Sequence, residues 1–176
     1  MNDVDILKKI EKKVLWLACW MIHNANHIRE NQDGLKVGGH QASSASIVSI
    51  MTALYFNILR PEDRVAVKPH ASPVFHAIQY LSGLQTKEKI ENFRGFGGAQ
   101  SYPSRTKDID DVDISTGSVG LGVAMTSFIS LIQDYVARKK FYKNKPLGRM
   151  IALVGDAELD EGNVYECLQE GWKHDL

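Results

Sequence analysis

The sequence lacks several features that mark specialised classes of protein. Its two cysteines, Cys19 and Cys167, lie far apart and belong to no CxxC pair. A disulfide framework or a thiolate metal site therefore has little support, and we expect a reducing, cytoplasmic compartment. No segment approaches the roughly 20 apolar residues that span a bilayer, and the N-terminus has no basic patch followed by an apolar run. We expect a soluble protein with no membrane partner.

An excess of charge of one sign is also absent. Lysine plus arginine and aspartate plus glutamate number 21 each, which gives a formal net charge of zero. Global electrostatics therefore give no reason to expect nucleic acid or an anionic membrane as a partner. The phosphate-binding pattern GxxxxGK[ST] does not occur, and an EF-hand loop counted from Asp156 would need glycine at Glu161 and glutamate at Cys167. Small, locally recognised substrates fit better.

Apolar periodicity predicts a chain of alternating helices and strands. A long helix should run from Asp3 to a point before Asp33-Gly34, with further helices over about 43–59, 73–81, 86–93, 118–138 and 163–172. Strands are expected at 64–67 and 150–154, the second being an apolar run typical of a parallel sheet covered on both faces. This order predicts an α/β fold with helices flanking a parallel sheet. Because such a sheet normally has more than two strands, the chain looks truncated.

An acidic segment, GDAELDEG from Gly155 to Gly162, directly follows the second predicted strand. Ligands gather at the carboxyl ends of parallel strands, so a carboxylate there can hold Mg²⁺ against phosphate oxygens. The alternative is an acidic turn whose charges favour the N-terminus of the next helix. The sequence alone leaves both interpretations open.

A glycine-rich segment, Ser115 to Gly122, precedes the helix predicted from Ser118. Glycine lets a ligand approach the backbone, and free amides at a helix N-terminus favour anions. The glycine order is GxxGxG, which differs from the dinucleotide fingerprint GxGxxG. A tight loop whose glycines serve helix packing is the competing interpretation.

Three polar rings lie in separate loops, at His40, His70 and Tyr102. Singly, each is more simply an ordinary hydrogen-bonded residue, and only their joint pattern points to a shared ligand. His23 and His27 are four residues apart on the first helix, but Asn24 replaces the glutamate of HExxH, which favours a plain helix face. The basic stretch at 138–149 is best explained as a solvated helix end.

Five motifs, taken in order along the chain, resemble the successive cofactor-binding loops of transketolase-type enzymes, which use thiamine diphosphate. They are Gly38-Gly39-His40, His70-Ala71-Ser72-Pro73, Ser101-Tyr102-Pro103, the loop from Thr116 to Gly122, and Gly155-Asp156-Ala157-Glu158. The resemblance covers nearly the whole chain from about Gly34, and it implies that 1–176 is a partial N-terminal pyrophosphate-binding domain with the thiamine-diphosphate-binding fold. The wording of the first three motifs is nearer to homodimeric pyruvate dehydrogenases than to transketolases.

The resemblance implies thiamine diphosphate and Mg²⁺ as cofactors and suggests residues for each role. Asp156 matches a magnesium ligand, which also counts among the cofactor contacts. The other cofactor contacts implied are Tyr102, Gly117, Val119, Gly155 and Ala157. Ala157 replaces the second glycine of the family's GDG, a change that is tolerated unless the backbone there needs a positive φ.

The resemblance also implies catalytic positions. His40 and His70 match histidines that line the channel over the thiazolium ring and assist proton transfer or stabilise oxyanions. Glu161 matches a carboxylate that couples the two half-sites of a dimer.

The implied function is that of the N-terminal part of an enzyme that breaks or forms bonds next to a carbonyl, with 2-oxo acid decarboxylation of the pyruvate dehydrogenase type as the main expectation. Partners implied are a small-molecule substrate, a second copy in a homo-oligomer, and a pyrimidine-binding domain from the rest of the polypeptide or a separate chain. That domain and the motif's closing asparagine are not found in 1–176, so we expect this segment alone to be inactive.

Two alternatives stay open. A transketolase moves two-carbon units between sugar phosphates and shares the acidic motif. A non-catalytic assembly module would keep the fold without the activity, although Ala157 is the single visible departure from the motif. A nucleotide-binding domain is disfavoured, because its phosphate-loop motifs are missing.

Overall fold

The structure is a computed structural model that describes residues 3–30, 34–141 and 146–176. The chain divides into two compact units. The first unit comprises Met1–Leu59 and His70–Val112, and the second comprises Arg60–Pro69 and Asp113–Leu176. The helical turns of the first helix end at Ile28, before Asp33-Gly34 as predicted. Asp33 itself and part of the basic stretch at 138–149 lie outside the described residues.

The first unit is built from helices. They are α1 (Asp3–His23), α2 (Gln41–Ala45), α3 (Val48–Ala53), α4 (Ser72–Leu81) and α5 (Lys87–Glu91). Wider π-helical turns follow α1 over Asn24–Ile28 and α3 over Leu54–Ile58. Helix α1 packs against α4, and the two helices contribute Val14, Met21, Val74, Phe75 and Ile78 to the core. Burial of each large side chain contributes about 1.5–3 kcal/mol to folding.

The helix predicted over 43–59 is interrupted. The Ser46 hydroxyl donates to the Ser43 carbonyl at 3.1 Å, and the Ile47 amide donates to the Ser44 carbonyl at 3.3 Å instead of to Ser43. Ile47 has φ −113° and ψ 0°, so the backbone bends there before α3 begins. Serine side chains compete locally with helical hydrogen bonding, which explains the break. Met51 is fully buried, whereas Ile50 is 58% exposed.

The second unit contains the sheet. Its strands, β1 (Arg64–Ala66) and β2 (Met150–Ala152), are parallel and in register from Arg64 with Met150 to Ala66 with Ala152. The helices of this unit are α6 (Leu121–Arg138) and α7 (Gly162–Lys173). Helix α6 contacts both strands and α7. The predicted α/β class with helices beside a parallel sheet is confirmed.

Two details of the second unit differ from the prediction. Helix α6 begins at Leu121 instead of Ser118, because Gly120 has φ +78°, a left-handed conformation outside the helix. Strand β2 is half-buried along its length and not covered on both faces. Within the described residues, the apolar side chains of α6 are likewise partly open, with Phe128, Ile132 and Tyr135 each about half exposed. No helix among the described residues is both long and apolar enough to cross a membrane.

The buried carboxylate of Asp63 connects the residues that precede the two strands. Asp63, just before β1, is 4% exposed. Its Oδ1 accepts from the Arg149 amide at 2.8 Å, and its Oδ2 accepts from the Arg60 amide at 2.9 Å and from Arg149 Nη2 at 2.5 Å. The Arg149 guanidinium holds the pKa of the Asp63 carboxyl far below its usual range. This carboxylate therefore fixes the residues that precede both strands.

Replacing Asp63 with asparagine should lower the melting temperature by about 5 °C, because an amide cannot accept all of these hydrogen bonds. The measurement is thermal unfolding followed by circular dichroism. Asp111→Asn is the matched control, since Asp111 is exposed and its replacement should change the melting temperature by about 1 °C or less.

The effect of Asp63 should depend on pH in a defined direction. Its pKa in the folded protein lies below the ordinary value of 3.8, so the stabilisation is complete above that pH and is lost as the pH falls toward the folded-state pKa. The difference in melting temperature between wild type and Asp63→Asn should be constant near neutrality and shrink in strong acid. A difference that grows on acidification would contradict this assignment.

Candidate functional site

The nine candidate residues fall into one group in each unit. The first unit carries the three polar rings, His40, His70 and Tyr102. The second unit carries the six residues of the glycine-rich and acidic segments, Gly117, Val119, Gly155, Asp156, Ala157 and Glu161. Each group has its own local geometry.

In the first unit, the three polar rings surround one cleft. His40, His70 and Tyr102 line a space of about 290 Å³ together with Ser43 and Arg94. His40 is at the N-terminal end of α2, and His70 is in a 3₁₀ turn, Pro69–Ala71, directly before α4. Tyr102 is 38% exposed. The structure thus brings the three loops to one surface, where hydrogen-bonding side chains face open space.

The loop that carries His40 is held by side chains that sequence reasoning did not single out. Asn26 Oδ1 accepts from the Gly38 amide at 2.6 Å, and Asn26 Nδ2 donates to the Gly39 carbonyl at 3.1 Å. A Cβ at Gly38 would lie 2.5 Å from the Ile22 carbonyl oxygen, so a larger residue does not fit there. Arg94 Nη1 donates to the Val37 carbonyl at 2.8 Å. Close backbone packing therefore requires glycine at Gly38, and Gly39 has φ +84°, a left-handed conformation that favours glycine.

Arg94 is the cation of this cleft. Its guanidinium carbon lies 5.9 Å from the centre of the Tyr102 ring, within range of a cation–π interaction. Partial burial lowers the pKa of Arg94, but an arginine stays protonated at physiological pH. Its backbone has φ +60°, unusual for a residue with a side chain. Arg94 therefore places a positive charge beside the three polar rings.

The loop that carries Tyr102 is anchored to α4. His76, fully buried in α4, has Nδ1 2.7 Å from Asp110 Oδ2 and Nε2 3.0 Å from the Gln100 carbonyl oxygen. Because a carbonyl only accepts, Nε2 carries a proton. The Ser72 hydroxyl donates to the Ser101 carbonyl at 2.6 Å. The residues before Tyr102 are therefore fixed by hydrogen bonds on both sides.

His76, Asp108 and Asp110 place three metal-capable atoms within 4.8 Å of one another. Most of these atoms are already engaged. Asp108 accepts from the Gln100 amide at 2.9 Å and from the Ser104 amide at 2.8 Å. Burial raises the pKa of Asp108. The cluster is therefore explained as a structural network. In the sequence, the only indication of it is the length of the polar segment from Tyr102 to Asp113.

In the second unit, the acidic segment follows β2 as predicted. Residues Asp156–Asp160 form one 3₁₀ turn, and the side chain of Asp156 is exposed. The residues with side chains and positive φ are Arg94, Lys140 and Asp175 among those described. Ala157 does not need a positive φ, so alanine fits this position without backbone strain.

The glycine-rich segment lies before α6. The buried hydroxyl of Thr116 donates to the Val67 carbonyl at the end of β1. Gly117 is exposed, and a Cβ there would meet no atom within 4 Å. Val119 is half-buried. The backbone at Gly117 therefore borders open space next to the sheet, as a segment that approaches a ligand must.

Glu158 joins the two segments of the second unit. Its Oε2 accepts from the Gly155 amide at 2.7 Å, and its Oε1 accepts from the Gly120 amide at 3.3 Å. A Cβ at Gly120 would lie 3.0 Å from the Glu161 Cβ. The glycine-rich and acidic segments are thus in direct contact. The Gly155 amide is occupied by Glu158, so Gly155 can approach a ligand only through its remaining backbone atoms.

Lys68 adds a cation at the end of β1. Its Nζ lies 3.7 Å from the position that a Cβ would take at Gly155. The sequence reasoning did not name this lysine, although its place directly after a predicted strand was a usable signal. An ammonium group, an exposed carboxylate and open backbone at Gly117 therefore occur on the same end of the sheet.

The remaining candidates have simple environments. Glu161 is exposed and precedes α7 without capping it through its side chain. His23 and His27 are exposed, with ring centres 5.0 Å apart, and neither belongs to a metal-capable group among the described residues. Cys167 is buried, which raises the pKa of its thiol and disfavours reactivity.

Comparison with known proteins gives consistent matches. Residues 37–171 match the family model described as "Transketolase, thiamine diphosphate binding domain". The pyruvate dehydrogenase E1 component of Mycolicibacterium smegmatis is 27% identical over 171 residues, covering 91% of this chain and 18% of that protein. The Escherichia coli K12 protein of the same name is 26% identical over 169 residues, with the same coverage.

A transketolase-like relative is also similar. Transketolase-like protein 2 of Mus musculus is 30% identical over 141 residues, covering 74% of this chain and 21% of that protein. The chain therefore spans about a fifth of the length of the curated relatives it matches. Since the family model covers most of the chain, including both groups of candidate residues, the chain belongs to the transketolase family of thiamine diphosphate-binding domains.

Proposed function

We propose that this chain supplies the diphosphate-and-magnesium half of the active site in a thiamine-diphosphate enzyme of the pyruvate dehydrogenase type, which decarboxylates a 2-oxo acid. The observation that carries the proposal is the contact between the glycine-rich and acidic segments through Glu158 at the end of the sheet. Residues 1–176 act as part of a pyrophosphate-binding domain in a homo-oligomer. A pyrimidine-binding domain, from the same polypeptide or a second chain, completes the site.

The second unit has groups suited to a metal-bound diphosphate. Asp156 offers an exposed carboxylate, the ligand type that Mg²⁺ prefers. Lys68 places an ammonium group beside Gly155, where it favours an anion. The open backbone at Gly117 leaves room for phosphate oxygens, and Val119, two residues later, is proposed to contact the cofactor as well. Ala157 is exposed on the same turn as Asp156 and borders the cofactor through its backbone. These residues fit the group, and Asp156 would hold the metal.

The first unit has groups suited to the reacting end of a substrate. When bound, thiamine diphosphate supplies a carbon nucleophile and an electron sink for breaking a bond next to a carbonyl. His40 and His70 offer ring nitrogens that donate hydrogen bonds to a developing oxyanion or move a proton. Tyr102 contributes an aromatic contact for the cofactor. Arg94 places positive charge in the same cleft, which favours the carboxylate of a 2-oxo acid.

Glu161 is proposed to couple two copies of the site across a dimer. Its exposed carboxylate lies at the start of α7, next to the Gly120 turn. The free cysteines and the zero net charge support a cytoplasmic location without nucleic acid as a partner.

A second candidate function is two-carbon transfer between sugar phosphates. The identity of 30% with a transketolase-like protein supports it. The complete protein, meaning this chain with whatever supplies the pyrimidine-binding domain, separates the two when it is assayed with pyruvate and with xylulose 5-phosphate. Turnover of pyruvate alone supports the proposal, and turnover of the sugar phosphate alone contradicts it in favour of transketolase.

Replacing Asp156 with asparagine should weaken Mg²⁺-dependent binding of thiamine diphosphate at least about tenfold, because loss of even an outer partner of a bound metal has effects of that size. Isothermal titration of the complete protein with thiamine diphosphate, at several Mg²⁺ concentrations, measures this. Asp160→Asn is the control, since Asp160 is exposed on the same turn and carries the same charge. Its affinity should stay within about twofold of wild type.

Two results of that titration would contradict the proposal. Wild-type binding that does not depend on Mg²⁺ would remove the metal role of Asp156. No binding of thiamine diphosphate at any Mg²⁺ concentration would favour a non-catalytic assembly module.

Replacing His70 with glutamine should lower kcat about 100-fold, as expected for loss of a group that assists proton transfer. Affinity for thiamine diphosphate should change much less than kcat, since the substitution leaves Asp156 and Gly117, the proposed metal ligand and diphosphate contact, unaltered. Steady-state kinetics and titration of the same preparation test both parts. His174→Gln is the control, because His174 is exposed at the end of α7. An unchanged kcat for His70→Gln would rule out this role.

A further inference from the structure

We propose that Glu158 is a positioning residue, one whose carboxylate sets the spacing between the metal ligand and the diphosphate-binding backbone. The inference rests on the proposed function and extends it. Glu158 itself has no place among the metal or cofactor ligands proposed above. Its role follows from the two hydrogen bonds that it accepts and from its burial.

The geometry makes Glu158 a bridge between two segments. Its side chain belongs to a residue that is 6% exposed. Oε2 accepts from the Gly155 amide at 2.7 Å, directly before Asp156. Oε1 accepts from the Gly120 amide at 3.3 Å, directly before α6. One carboxylate therefore determines the position of both segments.

Local capping explains only half of this arrangement. The bond to Gly155 closes the first turn of Asp156–Asp160, as a carboxylate three residues after a helix start commonly does. The bond to Gly120 connects residues 38 positions apart. A cap does not need that second contact. It links the acidic turn to the glycine-rich segment across the fold of the second unit.

Two backbone amides offset the negative charge of the Glu158 carboxylate. A buried negative charge beside a diphosphate site repels the ligand unless its own charge is offset. Hydrogen bonds from two amides provide that compensation, and bonds to an ionised acceptor are stronger than neutral ones. The unfavourable free energy of burying this carboxylate is therefore offset by hydrogen bonds from the Gly155 and Gly120 amides.

The left-handed backbone at Gly120 shows why the position matters. Gly120 has φ +78°, and a Cβ there would lie 2.7 Å from Asn163 Oδ1. The turn into α6 therefore allows only glycine and packs against the start of α7. Glu158 holds the amide of this turn, so the backbone from Gly117 to Val119 has a fixed end point. A shift of about 1 Å at such a site has large effects on binding and rate.

The test replaces Glu158 with glutamine in the complete protein. Glutamine keeps the size of the side chain, but its amide nitrogen cannot accept from a backbone amide, so one of the two bonds is lost. We expect the Mg²⁺ concentration for half-maximal binding of thiamine diphosphate to rise about 10- to 100-fold, the range found when outer partners of a metal site are removed. Titration calorimetry at fixed thiamine diphosphate gives this value.

Two further variants separate position from charge. Glu158→Asp keeps the charge and shortens the reach, so it should show a comparable loss. Asp160→Asn removes a charge from the same turn and should bind within about twofold of wild type. Thermal unfolding of each variant checks that the titrations are made well below the melting temperature.

The outcomes distinguish this inference from the proposed function. If wild type binds thiamine diphosphate and Glu158→Gln, folded, requires the same Mg²⁺ concentration, the positioning role is overturned while the proposed function stands. A loss of melting temperature without a change in Mg²⁺ requirement also overturns it, since that is the result of a purely structural role. If wild type does not bind, the proposed function fails first.

Discussion

The parallel pairing of β1 with β2 is the constraint on which the second unit depends. Parallel strands end on the same side of a sheet, so the segments that follow them begin close together. Register from Arg64 with Met150 to Ala66 with Ala152 brings Lys68 and Gly155 to one edge. A shift of one residue would turn the side chains of β2 to the opposite faces and displace its carboxyl end. Asp63 fixes the register from the other end, through the Arg149 amide and guanidinium.

Buried and half-buried polar side chains give the first unit its loop conformations. Asn26 and Arg94 hold the loop before His40, and His76 with Asp108 holds the loop before Tyr102. Each of these contacts uses a backbone amide or carbonyl that no helix or strand employs. Hydrogen bonds from these side chains to particular backbone atoms favour one loop geometry, whereas apolar packing would tolerate several. These hydrogen bonds therefore define the shape of the cleft that the loops surround.

The sequence predicted the order of helices and strands well, because the spacing of apolar residues reflects the period of the element that carries them. It placed both strands within one or two residues and located α7 closely. It was wrong about the coverage of β2, since burial depends on neighbours that a strand's own residues do not reveal. It was also wrong about the continuity of the helix at Ser46, where a hydroxyl and the backbone compete.

Motifs identified the candidate residues from the sequence, but no motif identified the residues that hold the candidate loops in place. His40, His70 and Tyr102 were expected to share one ligand, and they line a single cleft. Asn26, His76 and Glu158 act through hydrogen bonds to backbone atoms distant in sequence. The residues that neighbour them in the sequence give no indication of these distant backbone partners. Positions that hold a loop are therefore harder to find from sequence than positions that face a ligand.

The one departure from the family motif has a physical explanation. The sequence left open whether Ala157 marks a site that has lost its function. A glycine is needed in that position only where the backbone takes a positive φ, and Ala157 lies in a 3₁₀ turn without one. Alanine also loses less conformational entropy on folding than glycine does. The substitution is consistent with a maintained turn, so it gives no support to loss of the site, and Asp156 keeps its exposed position beside it.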